Sequence, residues 1–252
     1  FALYTYYGIL VKLIAAEVST NHVSLVRNSV VPALLDSENT HNELEVLEDG
    51  SFFREAIGVA NYMEANYFSW YLYAWDDEVE DAILQLLNHL DGYDLRSFEL
   101  ELKQSRDLLK ILYQKVIPKR IRHDLGEYYT PDWLIDSTVS QTGYSGSEDE
   151  RIFDPGCGSG GFLVECITRV RENAEHGIDS DDLFQRIRTN VYGVDVNPVA
   201  VLTARTNYLL ATADLIADHP DSRVDIPVFM ADSAVSFTHL TLTTERMVWC
   251  LV

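Results

Sequence analysis

The stretch Asp154-Pro155-Gly156-Cys157-Gly158-Ser159-Gly160-Gly161-Phe162 is where residue type and spacing speak most directly of chemistry. Glycines at this density permit a tight turn and let a ligand approach the backbone. A helix beginning just after them offers free N–H groups to an acceptor. Asp195 follows about 40 residues later, where its carboxylate could accept hydrogen bonds from ribose hydroxyls. The interval exceeds the roughly 20 residues usual in a dinucleotide fold, and the 174–190 insertion accounts for the excess. Asp232 lies further on and could accept a bond from an exocyclic amine. Each feature has a plain structural counterpart: Gly-rich turns after strands are common, Asp195 could open an Asx turn before Pro198, and Asp232 could cap a helix. Their occurrence in order is what makes one site of them.

The elements that must hold these residues follow from periodicity. Residues 151–154 form a short apolar strand, and Gly161-Phe162-Leu163-Val164-Glu165 continues as a helix. VYGVDV (191–196) is a second strand, Asn197 a natural N-cap, Pro198 the first residue of a long apolar helix, and DIPVFMADS (225–233) a third strand. Strands separated by helices imply parallel pairing with right-handed crossovers, hence a doubly wound α/β sheet that binds ligands beyond its carboxyl ends. The first 117 residues read instead as helical. Leu3, Tyr6, Tyr7, Leu10, Leu13 and Ile14 trace an amphipathic helix, residues 76–90 another with acids in its first turn, and 104–117 a third that stops before Pro118. Residues 36–50 read as a solvated acidic loop, and the aromatic stretch 59–75 is compatible with helix or strand. The division is therefore a helical domain over 1–117 and a sheet domain over 118–252.

Upstream of the Gly-rich turn, Tyr128-Tyr129-Thr130-Pro131 places Thr130 as an N-cap and Pro131 as the first residue of a helix through Trp133, Leu134 and Ile135. The free N–H groups of that helix could hold a carboxylate. Taken together, FDPGCGSGGFLVE resembles the first S-adenosylmethionine-binding motif of the adenine-N6 DNA methyltransferases. GVDVNPVAVLTARTNYLL resembles the second motif, and ADS (231–233) the third. LGEYYTPDWLIDSTV (125–139) is similar to the YTP segment that precedes the first motif in the gamma-type enzymes of type I and fused restriction-modification systems. The resemblance covers about residues 119–233.

It implies S-adenosyl-L-methionine as cofactor. Tyr129, Thr130 and Pro131 would face its methionine end, with Asp154, Pro155, Gly156, Gly158 and Gly160 around it. Asp195 would take the ribose, Asp232 the adenine amine, and Val196 or Phe162 the purine face. It also implies DNA as the partner, together with a specificity or nuclease subunit. In that family an Asn or Asp followed by Pro-Pro and an aromatic holds the target amine. None of the seven prolines here adjoins another. No catalytic residue is therefore assigned: the chain reads as a fragment of a longer enzyme, in preference to a protein that has lost catalysis, with DNA contacts supplied by a missing portion or a partner. A nicotinamide-dependent oxidoreductase is the competing enzyme class, since Gly156, Gly158 and Gly161 satisfy GxGxxG spacing. A non-catalytic assembly module of a restriction-modification complex is the third.

Composition bounds these readings. The 252 residues carry 40 Asp and Glu against 19 Lys and Arg, a net charge of −21, yet 47% are hydrophobic, so the chain can fold. Its excess of carboxylates resembles that of proteins from salty cytoplasm, where they maintain hydration. A uniformly acidic surface opposes phosphate binding. The exception is Lys115, Lys119, Arg120, Arg122 and His123, readable as a solvated linker or as a contact for DNA phosphates. Cys157, Cys166 and Cys250 form no CxxC pair and have no His at metal-ligand spacing. They read as packing residues in a reducing compartment. No membrane span and no signal-peptide pattern is evident, so a cytoplasmic location is expected.

Overall fold

The computed structural model describes residues 1–22, 29–63, 67–93, 102–124, 129–174, 177–217, 223–232 and 247–249. Two compact units emerge, one from residues 1–100 and 216–225, the other from 101–215 and 226–252. Tyr128 and Cys250 fall outside the described residues.

The first unit is helical. Helix α1 (Ala2–His22) buries Tyr7, Leu10, Leu13 and Ile14, the stripe expected from spacing, while Leu3 and Tyr6 remain exposed. Helix α2 (Val30–Leu35) packs against α1, α3 (Thr40–Glu48) and α5 (Asp77–Asp91), and α4 is the single turn Trp70–Tyr73. Helix α3 corrects the acidic loop expected over 36–50. Asn39 accepts a hydrogen bond from the Asn42 N–H at 3.1 Å, and Leu44 and Leu47 turn inward. Two leucines and a cap suffice where the outer face is acidic. The acids of α5 do crowd its first turn, and Asp76 caps it by accepting from the Val79 N–H.

The aromatic stretch resolves into neither long helix nor long strand. A π-helical turn (Phe53–Ile57) ends at Gly58, whose φ of 85° is one that glycine adopts cheaply. Val59 then forms a parallel bridge with Val224, in which Ala60 N–H donates to Val224 O and Val224 N–H to Gly58 O, each at 2.8 Å.

Charges are buried in this unit with partners. The Lys12 ammonium, with no exposed surface, is ion-paired with Glu48, whose second oxygen accepts from the Tyr71 hydroxyl at 2.9 Å. Burial lowers the Lys12 pKa, and Glu48 acts in the opposite direction. Glu17 is likewise buried and accepts from the Ser29 hydroxyl and from the N–H groups of Val30 (2.7 Å) and Val31 (3.2 Å), capping α2 from a neighbouring helix.

The second unit is α/β. Strands β1 (Arg151–Asp154), β2 (Val191–Asp195), β3 (Val228–Met230) and β4 (Met247–Trp249) form a parallel sheet in the order β3-β2-β1-β4. The three strands expected over 151–233 are present, and β4 joins β1 on its other side, so the direction of winding reverses there. Six helices occur among the described residues of this unit: α6 (Leu102–Val116), α7 (Lys119–Asp124), α8 (Asp132–Thr142), α9 (Gly161–Asn173), α10 (Ser180–Asn190), which fills the 174–190 insertion, and α11 (Pro198–Ala217), with α6 packed on α9.

 The end of α6 precedes Pro118 as expected, and this helix, read above with the N-terminal region, is grouped with the second unit.

Helix α9 buries Phe162, Leu163, Val164, Cys166, Ile167 and Val170 against β1 and β2, and α11 buries most of its length. Arg205 of α11, itself buried, donates from Nε to Val228 O at 2.8 Å and so ties the helix to β3. No helix among the described residues is long and apolar enough to cross a membrane.

Candidate cofactor site at the strand ends

The site grows from the last residues of β1 and β2. Asp154 ends β1 and is buried. Its Oδ1 accepts from the Gly156 N–H at 3.2 Å, while its Oδ2, also buried, has no hydrogen-bond partner among the described residues. Burial, reinforced by the nearby Asp195 carboxylate, pushes the Asp154 pKa up to about 7, although the Gly156 N–H favours its charged form.

Asp195 ends β2 and joins three segments. Its Oδ2 accepts from the Gly158 N–H at 2.9 Å, its Oδ1 from the Asn197 N–H at 2.8 Å, and its main-chain carbonyl from the Ala231 N–H at 3.0 Å. One residue thereby fixes the Gly-rich loop, the start of α11 and the chain leaving β3. Asn197 caps α11 as expected, accepting from the Val199 N–H at 2.9 Å. Asp232 stands exposed next to Ala231.

The loop has two kinds of glycine. A Cβ built on Gly156 or Gly158 would have no atom within 4 Å, so open space borders the backbone there. Gly160 is confined: its φ is 83°, and a Cβ would lie 3.1 Å from the Ala204 Cα. Gly193 and Asn207 are contributors that sequence reasoning missed. A Cβ on Gly193 would sit 2.7 Å from Leu163 Cδ1 and 3.0 Å from Cys157 Cβ, so its absence lets the loop fold back onto β2, where Cys157 N–H donates to Val194 O at 2.9 Å. A glycine inside a strand is the available signal for such close approach. Asn207 Nδ2 donates to Ser159 O at 2.8 Å and steadies the loop from α11.

Cys157 and Cys166 are buried and in no disulfide. Burial, with Asp154 and Asp195 adding to it, raises the Cys157 thiol well above its ordinary pKa, which suits a packing residue and not a nucleophile. No cluster of metal-ligating side chains occurs among the described residues.

The YTP segment departs from its expected capping. Pro131, at φ −61° and ψ 144°, is the N-cap of α8, and its carbonyl accepts from the N–H groups of Leu134 and Ile135. The extended ψ keeps Pro131 out of the helix, so Asp132 is the first helical residue and Thr130 stands one position too early to cap. Tyr129 and Thr130 are half-buried, and the Tyr129 ring lies 5.3 Å from that of Tyr113. Helix α8 reaches the loop through Ile135, whose Cδ1 would be 2.8 Å from a Cβ on Gly161. Phe162 is buried in α9, whereas Val196, 70% exposed, stands beside Asp195. Pro155 is half-buried in the turn.

A separate cleft of about 380 Å³ is lined by Asp136, Tyr144, Glu165, Thr168 and Arg169. Arg169 already bridges Glu165 and Asp136, each at 3.1 Å, so its charge is satisfied within the protein.

A parallel sheet carrying a Gly-rich loop and an acid at adjacent strand ends defines an α/β protein, a class of fold in which ligands bind at the carboxyl edge of the sheet. Residues 104–225 match the family model described as N-6 DNA Methylase. The chain is similar to the adenine-specific methyltransferase PglX of Streptomyces coelicolor, 34% identical over 88 residues, which covers 34% of this chain and 7% of that protein. It is also similar to the type I restriction enzyme EcoEI methylase subunit of Escherichia coli, 28% identical over 127 residues (50% of this chain, 24% of that subunit). For the type I restriction enzyme MjaIX methylase subunit of Methanocaldococcus jannaschii the values are 32% over 106 residues, 40% and 17%. The matched regions span less than a quarter of each relative's length.

Proposed function

We propose that this chain is the S-adenosyl-L-methionine-binding portion of an adenine-N6 DNA methyltransferase from a cytoplasmic restriction-modification system, with a Rossmann-like methyltransferase sheet. The observation that carries the cofactor assignment is the pairing of two carboxylates, Asp154 and Asp195, around a loop with open space at Gly156 and Gly158. Carboxylates so placed repel a pyrophosphate and attract a cation. S-adenosyl-L-methionine presents an ammonium and a sulfonium, whereas a nicotinamide dinucleotide presents two phosphates, so the GxGxxG spacing loses to the charge.

Both of these carboxylates have acceptor capacity to spare for the cofactor. The unpartnered Oδ2 of Asp154 can accept from the ammonium, and the remaining lone pairs of Asp195 from ribose hydroxyls. Tyr129, Thr130 and Pro131 border the methionine end, with the N–H groups at the start of α8 directed to its carboxylate. Pro155 and Gly160 shape the loop, Val196 or Phe162 packs on the purine, and Asp232 accepts from the adenine amine. When bound, the cofactor supplies an electrophilic methyl group. The residues that would hold a target adenine have no counterpart in this sequence, so the assigned role is cofactor binding, and methylation belongs to the whole enzyme with its DNA and its specificity or nuclease subunits.

Calorimetric titration with S-adenosyl-L-methionine and with NAD tests this reading. Saturable binding of the first alone is the expected result, and binding of NAD alone overturns it.

A further inference from the structure

The chain uses lysine sparingly, and the positions of its lysines are informative. Four of the five, at 103, 110, 115 and 119, fall in one 17-residue stretch, and the fifth, Lys12, is buried against Glu48. Residues 102–123 hold seven Lys and Arg against a single acid, in a chain whose net charge is −21. The segment is not an unstructured linker: it forms α6 and α7 within the α/β unit.

Its charges divide by role. Lys110 pairs with Asp132 at 3.6 Å, and Arg122 Nε donates to Ile117 O at 3.1 Å, closing the turn between the two helices. Lys115, Lys119 and Arg120 are exposed and have no partner among the described residues. Several other described cations are engaged internally, as with Arg169 on Glu165, Arg171 on Asp214, Arg186 on Gly146 O and Arg205 on Val228 O, whereas Arg223 stands exposed by itself in the other unit. Lys119 and Arg120 also occupy the first turn of α7, where the helix dipole disfavours positive charge. Neither internal pairing nor helix stability accounts for Lys119 and Arg120, while Lys115 lies in the last turn of α6, where the dipole favours it.

We propose that Lys115, Lys119 and Arg120 form a docking surface for the phosphate backbone of duplex DNA. The partner follows from charge complementarity and rests on the methyltransferase reading above. Unsatisfied, exposed cations in an otherwise acidic surface match a polyanion, and removing phosphate contacts weakens binding irrespective of base sequence.

The test is binding of a short fluorescein-labelled duplex to the full chain over a KCl series, comparing wild type with K115Q/K119Q/R120Q, K119Q and R223Q. Arg223 is exposed in the other unit and controls for loss of one positive charge. The triple variant should bind roughly tenfold or more weakly, and the slope of log affinity against log salt should fall by about 0.9 for each neutralised contact. K119Q should weaken binding more than R223Q. Absence of duplex binding by wild type, or equal binding by wild type and the triple variant, overturns the proposal, as does preference for an acidic peptide over the duplex. Titration of the same proteins with S-adenosyl-L-methionine separates the outcomes: cofactor binding preserved without a DNA effect rejects only the docking surface, and absence of cofactor binding by wild type rejects the reading beneath it.

Discussion

The helical unit and the α/β unit both bury carboxylates, but they treat them differently. Glu48 and Glu17 are enclosed by donors: an ammonium and a phenol for the first, a hydroxyl and two N–H groups for the second. Asp154, at the end of β1, keeps one buried oxygen without a partner and sits near a second carboxylate. A buried charge surrounded by donors specifies a fold, because separating the partners is costly. A buried acid left short of donors is destabilising until something else supplies them. That contrast sets a buried charge whose donors are all in place against a buried acid that still lacks one.

The largest expected effect lies in the helical unit. Glu48→Ala leaves Lys12 buried without its counter-ion and should cost about 3–5 kcal/mol in chemical denaturation, whereas a Lys12→Met, Glu48→Leu double variant should recover much of that loss. A single variant as stable as wild type would break the comparison. In the α/β unit, Gly160→Ala imposes both an unfavourable φ and a close approach to Ala204, for an expected loss of about 1–3 kcal/mol. Gly158→Ala also carries a positive φ, 52°, but meets no neighbouring atom. It should therefore destabilise the free protein less while still weakening cofactor binding, measured by unfolding and calorimetry side by side.

Asp154 predicts a pH dependence with a definite sign. Its folded pKa, about 7, lies above the ordinary 3.8, so this group's contribution favours the fold at low pH and is progressively lost as the pH rises between those values. Binding of a cationic ligand has the opposite dependence, because it requires the carboxylate. Affinity for S-adenosyl-L-methionine should improve up to about tenfold per pH unit below 7 and level off above it, with Asp154→Asn abolishing the trend. The smallest effect is expected at Asp76, whose replacement by Ala removes the α5 cap and should cost about 1 kcal/mol in thermal or chemical unfolding, without altering cofactor affinity.

The legible and illegible parts of the sequence divide along physical lines. Strands β1 to β3, the loop and the Asn197 cap could be read because glycine, proline and cap residues act locally and leave a local signature. Helix α3 was hidden because only Leu44 and Leu47 mark its inner face beneath an acidic exterior. The shift of the α8 cap from Thr130 to Pro131 depends on one backbone angle, for which both residues are chemically suitable. The Lys12–Glu48–Tyr71 group joins residues far apart in the chain, each ordinary in its own surroundings. At the site, Asp154 and Asp195 stood out as acids ending apolar strands, but the donors that orient Asp195 and the exclusion of any Cβ at Gly193 arise only from tertiary packing.

The bridge between Val59 and Val224 also governs how this molecule can be dissected. The helical unit is completed by residues 216–225, a segment that begins with the last two residues of α11 and precedes β3 in the chain. A cut after residue 100 would therefore not release two intact parts: one piece would lack its returning segment, and the other would carry that segment with the N–H and carbonyl of Val224 deprived of their backbone partners. Expression of the α/β unit alone calls for redesign of that excursion, and a shortened connector there is the natural place to begin.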